Sequence, residues 1–298
     1  MTSGHSNDST TTPVWDQVST DVSLAGSARS LLLTIMGELV GRNGPPVWTI
    51  ALLHVLTGLG LEEQTARQAI ARGASAGWIV GEKLGREVRW QLTDAGAELI
   101  EDVRKRAESL HTVADAWDGN CLILMISIPQ QQKTVRKRVY NALKWAGFGN
   151  PMPGCWASPH VDRAEEVMRV VQDLGLADST IGFIGRTWTV GLSDDEIVHR
   201  AWDLNHVATR YGQLITAFTD LEPTPGDDLL LTYLTLVHEW QEFPYMDPQL
   251  PRDLLPNWIG WKATELFLHL RDSWEPLAHE RWREIIELTA PSSRLTES

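Results

Sequence analysis

Gln64, Thr65, Arg67, Gln68, Ala71 and Arg72 fall at intervals that place them on one face of a single short helix. Arginine can pair in bidentate fashion with guanine, and glutamine with adenine, so a helix presenting this set outward can read base edges in the major groove of DNA. The opposite face carries Ala66, Ala69 and Ile70, small and apolar enough to pack inward. A few residues on, Lys83, Arg86 and Arg89 recur in a stretch that alternates like a hairpin, where cations would meet phosphates. Between Gln64 and Thr93, five cations oppose the two carboxylates of Glu82 and Glu87, a local balance of +3 in a chain of net charge −13. The sign reverses where the motif sits, as a nucleic-acid ligand requires.

A second cationic run, Lys133, Arg136, Lys137, Arg138 and Lys144, has no acid among it. It suits phosphates, whether of DNA or of a nucleotide-bearing ligand, and it equally suits a solvated helix face. Other chemistry is thin. Gly73 to Gly77 match the GxSxG elbow of hydrolases, but that elbow needs a strand before its serine and a helix after it, and the pattern around Ser75 is reversed. His199 and His206 lie seven apart with no third ligand, and Cys121 and Cys155 belong to no metal or redox spacing. No P-loop, no GxGxxG after a strand and no nucleophile with its base can be assembled. No metal, no cofactor and no enzymatic activity are therefore expected.

The elements that must position these side chains follow from periodicity. A leader over residues 1–26 is polar, without apolar period, and reads as disordered. Residues 27–115 read as a winged helix-turn-helix with an exit helix. SARSLLLTIMGELVG supplies a first helix, WTIALLHVLTGLGL a second, and Glu62 or Glu63 opens the third, with Gly58 and Gly60 making the turn between them. Strands are expected at Trp78 to Glu82 and Val88 to Leu92, joined by a turn from Lys83 to Glu87, and Thr93 or Asp94 caps the exit helix. Residues 116–196 alternate strand and helix: Cys121 to Ile128, a helix from Lys133 closed by Gly147, CWASP, AEEVMRVVQDLGL and STIGFIGRTWTV. That order suggests a ferredoxin-like domain of βαββαβ type. Residues 197–290 are helical, the block Phe243 to Trp261 reads as a rigid brace dense in Pro and Trp, and residues 291–298 form a tail. The fold class is thus α+β and multidomain.

Composition bounds the rest. A hydrophobic content of 43% over 298 residues is enough for sizeable cores. The longest uninterrupted apolar stretch, Cys121 to Ile126, is far too short for a bilayer and the N-terminus has no secretory pattern, which predicts a cytoplasmic protein without a membrane partner. Residues 1–115 hold ten cations and fourteen carboxylates (−4), 116–196 eight and nine (−1), and 197–298 eight and sixteen (−8). Phosphate would be repelled by the last third, so DNA contact belongs to the first or middle part.

Three separated blocks resemble the PaaX family of repressors that control phenylacetate degradation. SARSLLLTIMGELV with TARQAIARGASAGWI and GREVRWQLTDAG resembles its winged-helix domain; AWDGNCLILMISIP with WAGFGNPMPGCWASP its middle domain; RAWDLNHVATRYGQLITAF with EWQEFPYMDPQLPRDLLPNWIGWKATELF its helical C-terminal region. The resemblance implies a homodimeric repressor that binds a double-stranded DNA operator and leaves it when an aryl-CoA thioester, phenylacetyl-CoA in the best known members, occupies the protein. Such an effector needs cations for its phosphates, for which Lys133, Arg136, Lys137, Arg138, Lys144 and Arg186 are available. It also needs an apolar pocket, for which Trp145, Phe148, Trp156, Trp188, Trp202 and Tyr211 are the aromatic candidates among the fourteen tryptophans and other rings. One departure concerns Gly73, where relatives carry a bulky aliphatic residue; it costs about 1 kcal/mol of helix propensity and is expected to end the recognition helix early. The alternatives are a winged-helix regulator sensing a free aromatic acid and an enzyme built on the middle domain, where Asp118 occupies the place of an acid in CRISPR-associated nucleases of similar fold.

Overall fold

The computed structural model describes residues 28–110, 117–128, 131–173, 175–186 and 190–290, and the chain divides into two compact units. The disordered leader and tail expected over 1–26 and 291–298 lie outside the described residues, as do Trp188 and the side chains of Arg138 and Trp145.

The first unit combines Met1–Lys105, Gln213–Gln241 and Glu265–Ser298. Its first helix, α1 (Ala28–Ile35), buries Leu31, Leu32 and Ile35. The run expected as one continuous helix then widens into a π turn over Met36–Val40, closed by Gly41 N–H donating to Met36 O at 2.9 Å. After a two-residue strand β1 (Val47–Trp48), which the sequence reading missed, come α2 (Thr49–Gly58) and α3 (Glu63–Ser75). Gly60, at φ +87°, makes the turn between them, whereas Gly58 stays helical. A Cβ on Gly58 would come within 2.9 Å of Leu231, so its bareness serves packing and not the turn.

Strands β2 (Ile79–Leu84) and β3 (Glu87–Leu92) pair antiparallel from Ile79↔Leu92 to Leu84↔Glu87. Their turn is only Gly85-Arg86, shorter than the expected Lys83 to Glu87, because Gly85 takes φ +64° and lets the strands pair to their ends. β1 joins the other side of β3. The hairpin is pinned to α2: Trp90 Nε1 donates to Thr49 Oγ1 at 2.9 Å, Thr49 Oγ1 donates to Val88 O at 2.9 Å, and the Trp90 ring crosses Gly81, where a Cβ would meet it at 2.7 Å. Thr93 caps the exit helix α4 (Asp94–Glu108) by accepting from Gly96 N–H at 3.0 Å.

The second unit combines Arg106–Gly212 and Glu242–Thr264. Its chain order is β4 (Cys121–Ile126), α5 (Lys133–Trp145), β5 (Gly149–Met152), β6 (Cys155–Ser158), α6 (Ala164–Asp173) and β7 (Thr180–Gly185). These strands form one antiparallel sheet in the order β5-β6-β4-β7. β5 was not anticipated, since Gly149 and Pro151 argue against a strand; Pro151 is tolerated because β5 lies at the sheet edge. Leu122, Leu124 and Ile126 point to the helix-covered face, with Val139, Leu143, Phe148, Trp156 and Val167 in the same core. α5 ends as expected at Gly147, whose φ of +83° allows Gly147 N–H to reach Lys144 O at 3.0 Å and Phe148 N–H to reach Leu143 O at 2.9 Å.

Residues from Asp194 onward form two helices where one period was read, α7 (Asp194–Ala201) and α8 (Leu204–Phe218). Ser193 and Glu196 form a capping box at the start of α7. The break is Trp202, extended at φ −123° and ψ 142°. Two further α-helices follow, α9 (Asp227–Trp240), in which every residue from Leu229 is buried, and α10 (Ile259–Thr289). In the first unit, α9 packs on α1 and α2, and Tyr233 donates to Glu38 at 2.7 Å. Between α9 and α10, the Pro- and Trp-rich segment is braced on Asp247, which accepts from Tyr211 at 2.9 Å, Trp258 Nε1 at 3.0 Å and Gln249 N–H at 2.6 Å.

Candidate functional site

α3 divides as its sequence predicts. Ala66, Ala69, Ile70 and Gly73 are buried, while Gln64, Arg67, Gln68, Ala71 and Arg72 are exposed and Thr65 is half-buried. The expected early stop at Gly73 does not occur, for the helix runs on to Ser75. Gly73 faces inward, and a Cβ there would sit 2.9 Å from Leu32 Cδ2, so glycine lets α3 approach α1 closely. Ser75 ends a helix and donates back to Ala71 O at 3.0 Å, so it is no nucleophile elbow.

The outward side chains are held by their neighbours. Arg67 pairs with Glu63 at 2.7 Å, Arg72 donates to the Gln68 side chain at 3.0 Å, and Arg89 on the hairpin pairs with Glu82 at 2.8 Å. Such exposed contacts contribute little, about 0.2–1 kcal/mol each, and yield readily to a phosphate or a base edge. Lys83 and Arg86 are exposed near the hairpin tip and have no ion pair among the described residues. Helix face and hairpin thus present polar and cationic groups on elements fixed from behind by Leu32, Thr49 and Trp90.

The second constellation scatters in part. Lys133 and Lys137 are exposed on α5, Arg136 donates to Ile128 O at 3.0 Å, and Arg186 lies beside Gly119 just after β7. Trp156 is 1% exposed inside the sheet-and-helix core, and Tyr211 is fully buried, stacked on Phe243 at 4.0 Å and held by Asp247. Burial and the neighbouring carboxylate push the Tyr211 hydroxyl pKa well above its usual value, keeping it a neutral donor.

Lys144, Phe148 and Trp202 do come together. They line a cavity of about 310 Å3 with Arg163, His206 and the segment Pro244 to Gln249. A second cavity of about 400 Å3 shares Lys144, Ala201, Trp202 and Asp203 and adds Tyr140, Asn150, His199 and Arg200. Trp202 is fixed there because Gly149 has no side chain: a Cβ would meet Trp202 and Ala201 at 2.5 Å, and the indole N–H donates to Gly147 O at 3.2 Å. Arg163, Arg200, Tyr245 and Met246 were not singled out by sequence, and His206 only as a metal candidate; they converge from four separate segments. His160, behind Arg163, has its pKa lowered by burial and sits against Pro248 O at 2.9 Å.

The acid singled out for the enzyme alternative is engaged locally. Asp118 is tied into its own turn, accepting from Asn120 N–H at 2.8 Å and from the Asn120 amide at 2.6 Å, which hold its carboxyl below the usual range. No group of metal-binding side chains occurs among the described residues, and none of their helices is long and apolar enough to cross a membrane.

Three family models match the chain in order: a PaaX-like protein model over residues 27–96, the PaaX protein central Cas2-like domain over 114–198, and the PaaX-like protein C-terminal domain over 202–284. The Transcriptional repressor PaaX of Escherichia coli (strain K12) is 29% identical over 286 residues, covering 90% of this chain and 88% of that protein. The solved structure of an uncharacterized protein from Mycobacterium tuberculosis is similar with a TM-score of 0.57 at 19% identity, over 87% of this chain and 98% of that one, and it bears on the fold alone. The relative of known role is a repressor and not an enzyme. With all three models matched collinearly, the chain belongs to the PaaX family of transcriptional repressors.

Proposed function

We propose that this repressor binds an operator as a homodimer through a winged helix-turn-helix, with α3 in the major groove and the β2-β3 hairpin as a wing on the phosphates. Residues 27–115 form the DNA-binding domain, 116–196 a ferredoxin-like middle domain and 197–290 a helical C-terminal domain, acting together in the cytoplasm. An aryl-CoA thioester, a phenylacetyl thioester being the first candidate, releases the operator because it binds the DNA-free arrangement more tightly. The observation that carries the reading is α3 itself: its buried face is Ala66, Ala69, Ile70 and Gly73, and its exposed face is the base-reading set Gln64, Arg67, Gln68 and Arg72. The helix order and the hairpin with Lys83 and Arg86 exposed support it further.

The test uses duplexes selected by the wild-type protein from a random pool and compared with an unselected duplex. Arg67→Ala is expected to cost about 1–3 kcal/mol on the selected site and to relax preference at one or two base pairs. Arg86→Ala should weaken both duplexes alike and lower the salt slope by about 1. Equal base preference in the two variants would refute the groove assignment.

A further inference from the structure

The cavity of about 310 Å3 lined by the Pro244 to Gln249 segment has walls of mixed chemistry, and its charges are unequally committed. Both of its carboxylates are engaged. Asp247 accepts from Tyr211, Trp258 Nε1 and the Gln249 N–H, and Asp203 caps α8 by accepting from His206 N–H at 3.4 Å. Lys144 and Arg163 are not so engaged. Half-buried Arg163 donates to Ala146 O at 3.5 Å, and neither cation has an ion pair among the described residues. Arg106, Ser109 and His206 add further polar groups, while Trp202, Val207, Pro244, Tyr245 and Met246 supply the apolar part of the wall. The Pro244 to Gln249 segment is itself held in an uncommon conformation. Gln249 is the one non-glycine among the described residues at a left-handed φ, +54°, fixed by its N–H to Asp247 at 2.6 Å, and the neighbouring Pro248 O accepts from His160 Nε2 at 2.9 Å. Strain of this kind persists where its surroundings over-determine it, and it gathers at ligand sites.

We propose that this cavity is a binding site for a compact oxyanion carried on an apolar body, a carboxylate or a phosphate ester about the size of one substituted aromatic ring. A half-buried guanidinium without a carboxylate has given up water that a ligand's oxyanion replaces, and its planar fork fits two oxygens of one such group. Arg163 and Lys144 hold the oxyanion; Trp202, Tyr245 and Met246 take the apolar body. The volume sets the size limit, lying at the low end of the ~300–1,000 Å3 usual for small-molecule pockets. Gly147 leaves the guanidinium its room, since a Cβ there would stand 3.3 Å from Arg163 Nη1 and 3.4 Å from the His160 ring. Neither the operator docking nor the aryl-CoA effector enters this inference, and its test needs no DNA.

Calorimetry on the full chain with benzoate, phenyl phosphate, inorganic phosphate and the uncharged isostere benzamide tests this, with thermal melting to verify that each variant folds. Benzoate or phenyl phosphate should bind about tenfold or more tightly than benzamide, and whichever leads assigns the oxyanion as carboxylate or phosphate ester. Phenyl phosphate should exceed inorganic phosphate by a similar factor, the contribution of the apolar wall. Arg163→Gln, which keeps a donor for Ala146 O, and Lys144→Met, at an exposed side chain, should each weaken the leading anion about tenfold, a charge-assisted contact being removed. Lys262→Gln, an equal loss of charge at an exposed position outside the cavity, should leave binding unchanged. Tyr245→Ala should bring phenyl phosphate down toward inorganic phosphate. Should Arg163→Gln fail to fold, Lys144→Met decides. The site is overturned if wild type binds neither aryl anion, if benzamide binds as tightly as they do, or if inorganic phosphate matches phenyl phosphate. Folded Arg163→Gln and Lys144→Met proteins that bind as wild type does, or an equal loss in Lys262→Gln, overturn it as well.

Discussion

Gly73→Ala puts the packing of α3 to a quantitative test. In a helix interior alanine is favoured over glycine by about 1 kcal/mol, so on propensity alone the variant is more stable. The new methyl, however, would stand 2.9 Å from Leu32 Cδ2 and 3.5 Å from Ile79 Cδ1. Carbon atoms pack best near 3.5–4.0 Å, so one surface must give by roughly 0.6 Å. Leu32 is fully buried and its methyl has no solvent to turn into. Overpacking of this kind costs about 1–3 kcal/mol, which outweighs the propensity gain and leaves the variant about 0–2 kcal/mol less stable. Leu32→Ala should cost about 2–5 kcal/mol alone. Combined with Gly73→Ala it should cost less than the sum of the two, because the added methyl then occupies vacated space and keeps its helix gain. Urea unfolding of the four proteins closes the cycle. A Gly73→Ala protein more stable by the full ~1 kcal/mol, or a strictly additive cycle, would refute the close approach of α1 and α3.

Two further expectations concern buried polar groups. His238, 1% exposed with Nδ1 3.1 Å from Thr34 Oγ1 and no hydrogen-bond partner for Nε2 among the described residues, has its pKa pushed down to about 4 by burial. A depressed histidine is neutral in the folded state and binds its proton preferentially when unfolded, so its share of stability is complete above pH 6.5 and drains as pH falls toward 4. The loss over that window is about 3 kcal/mol. Urea midpoints from pH 7.5 to 4.5 should therefore fall more steeply for wild type than for His238→Asn, and parallel slopes would contradict this. Asp247→Ala removes the acceptor of the Tyr211 hydroxyl and of the Trp258 indole N–H, at a cost on the order of 3 kcal/mol. Asp247→Asn keeps one acceptor and should lose roughly half as much, measured in the same way.

What was legible in the sequence and what was not separates along physical lines. The two faces of α3 were readable because small apolar residues recur every three or four positions between polar ones, and a helix has one way to place them. Gly147 was readable as a cap because a left-handed position ending a helix favours glycine locally. The break at Trp202 was not, because Ile197, Ala201, Leu204, Val207 and Ala208 keep helical phase through it. Its cause is tertiary, the seating of an indole on Gly149 more than fifty residues away. Gly73 misled for a related reason: propensity treats glycine as a helix breaker, while here the neighbour Leu32 decides. Trp156 and Tyr211 show the limit of counting aromatic residues, since composition cannot distinguish a ring that fills a core from one that lines a cavity.

The charge arrangement on α3 and the hairpin bears on the proposed mode of DNA binding. Arg67 and Arg89 each pair with a carboxylate and Arg72 donates to a glutamine, whereas Lys83 and Arg86 extend without an ion pair among the described residues. A protein of net charge −13 is repelled by DNA at long range, so unspecific adhesion gains little. Breaking an exposed pair such as Glu63 with Arg67 costs well under 1 kcal/mol, whereas a bidentate guanine contact returns about 1–3 kcal/mol. In the proposed groove docking, the exchange is favourable where the right base stands opposite Arg67 and close to neutral where it does not. In the proposed docking of α3, internal pairing on its exposed face therefore favours discrimination over raw affinity in so acidic a chain.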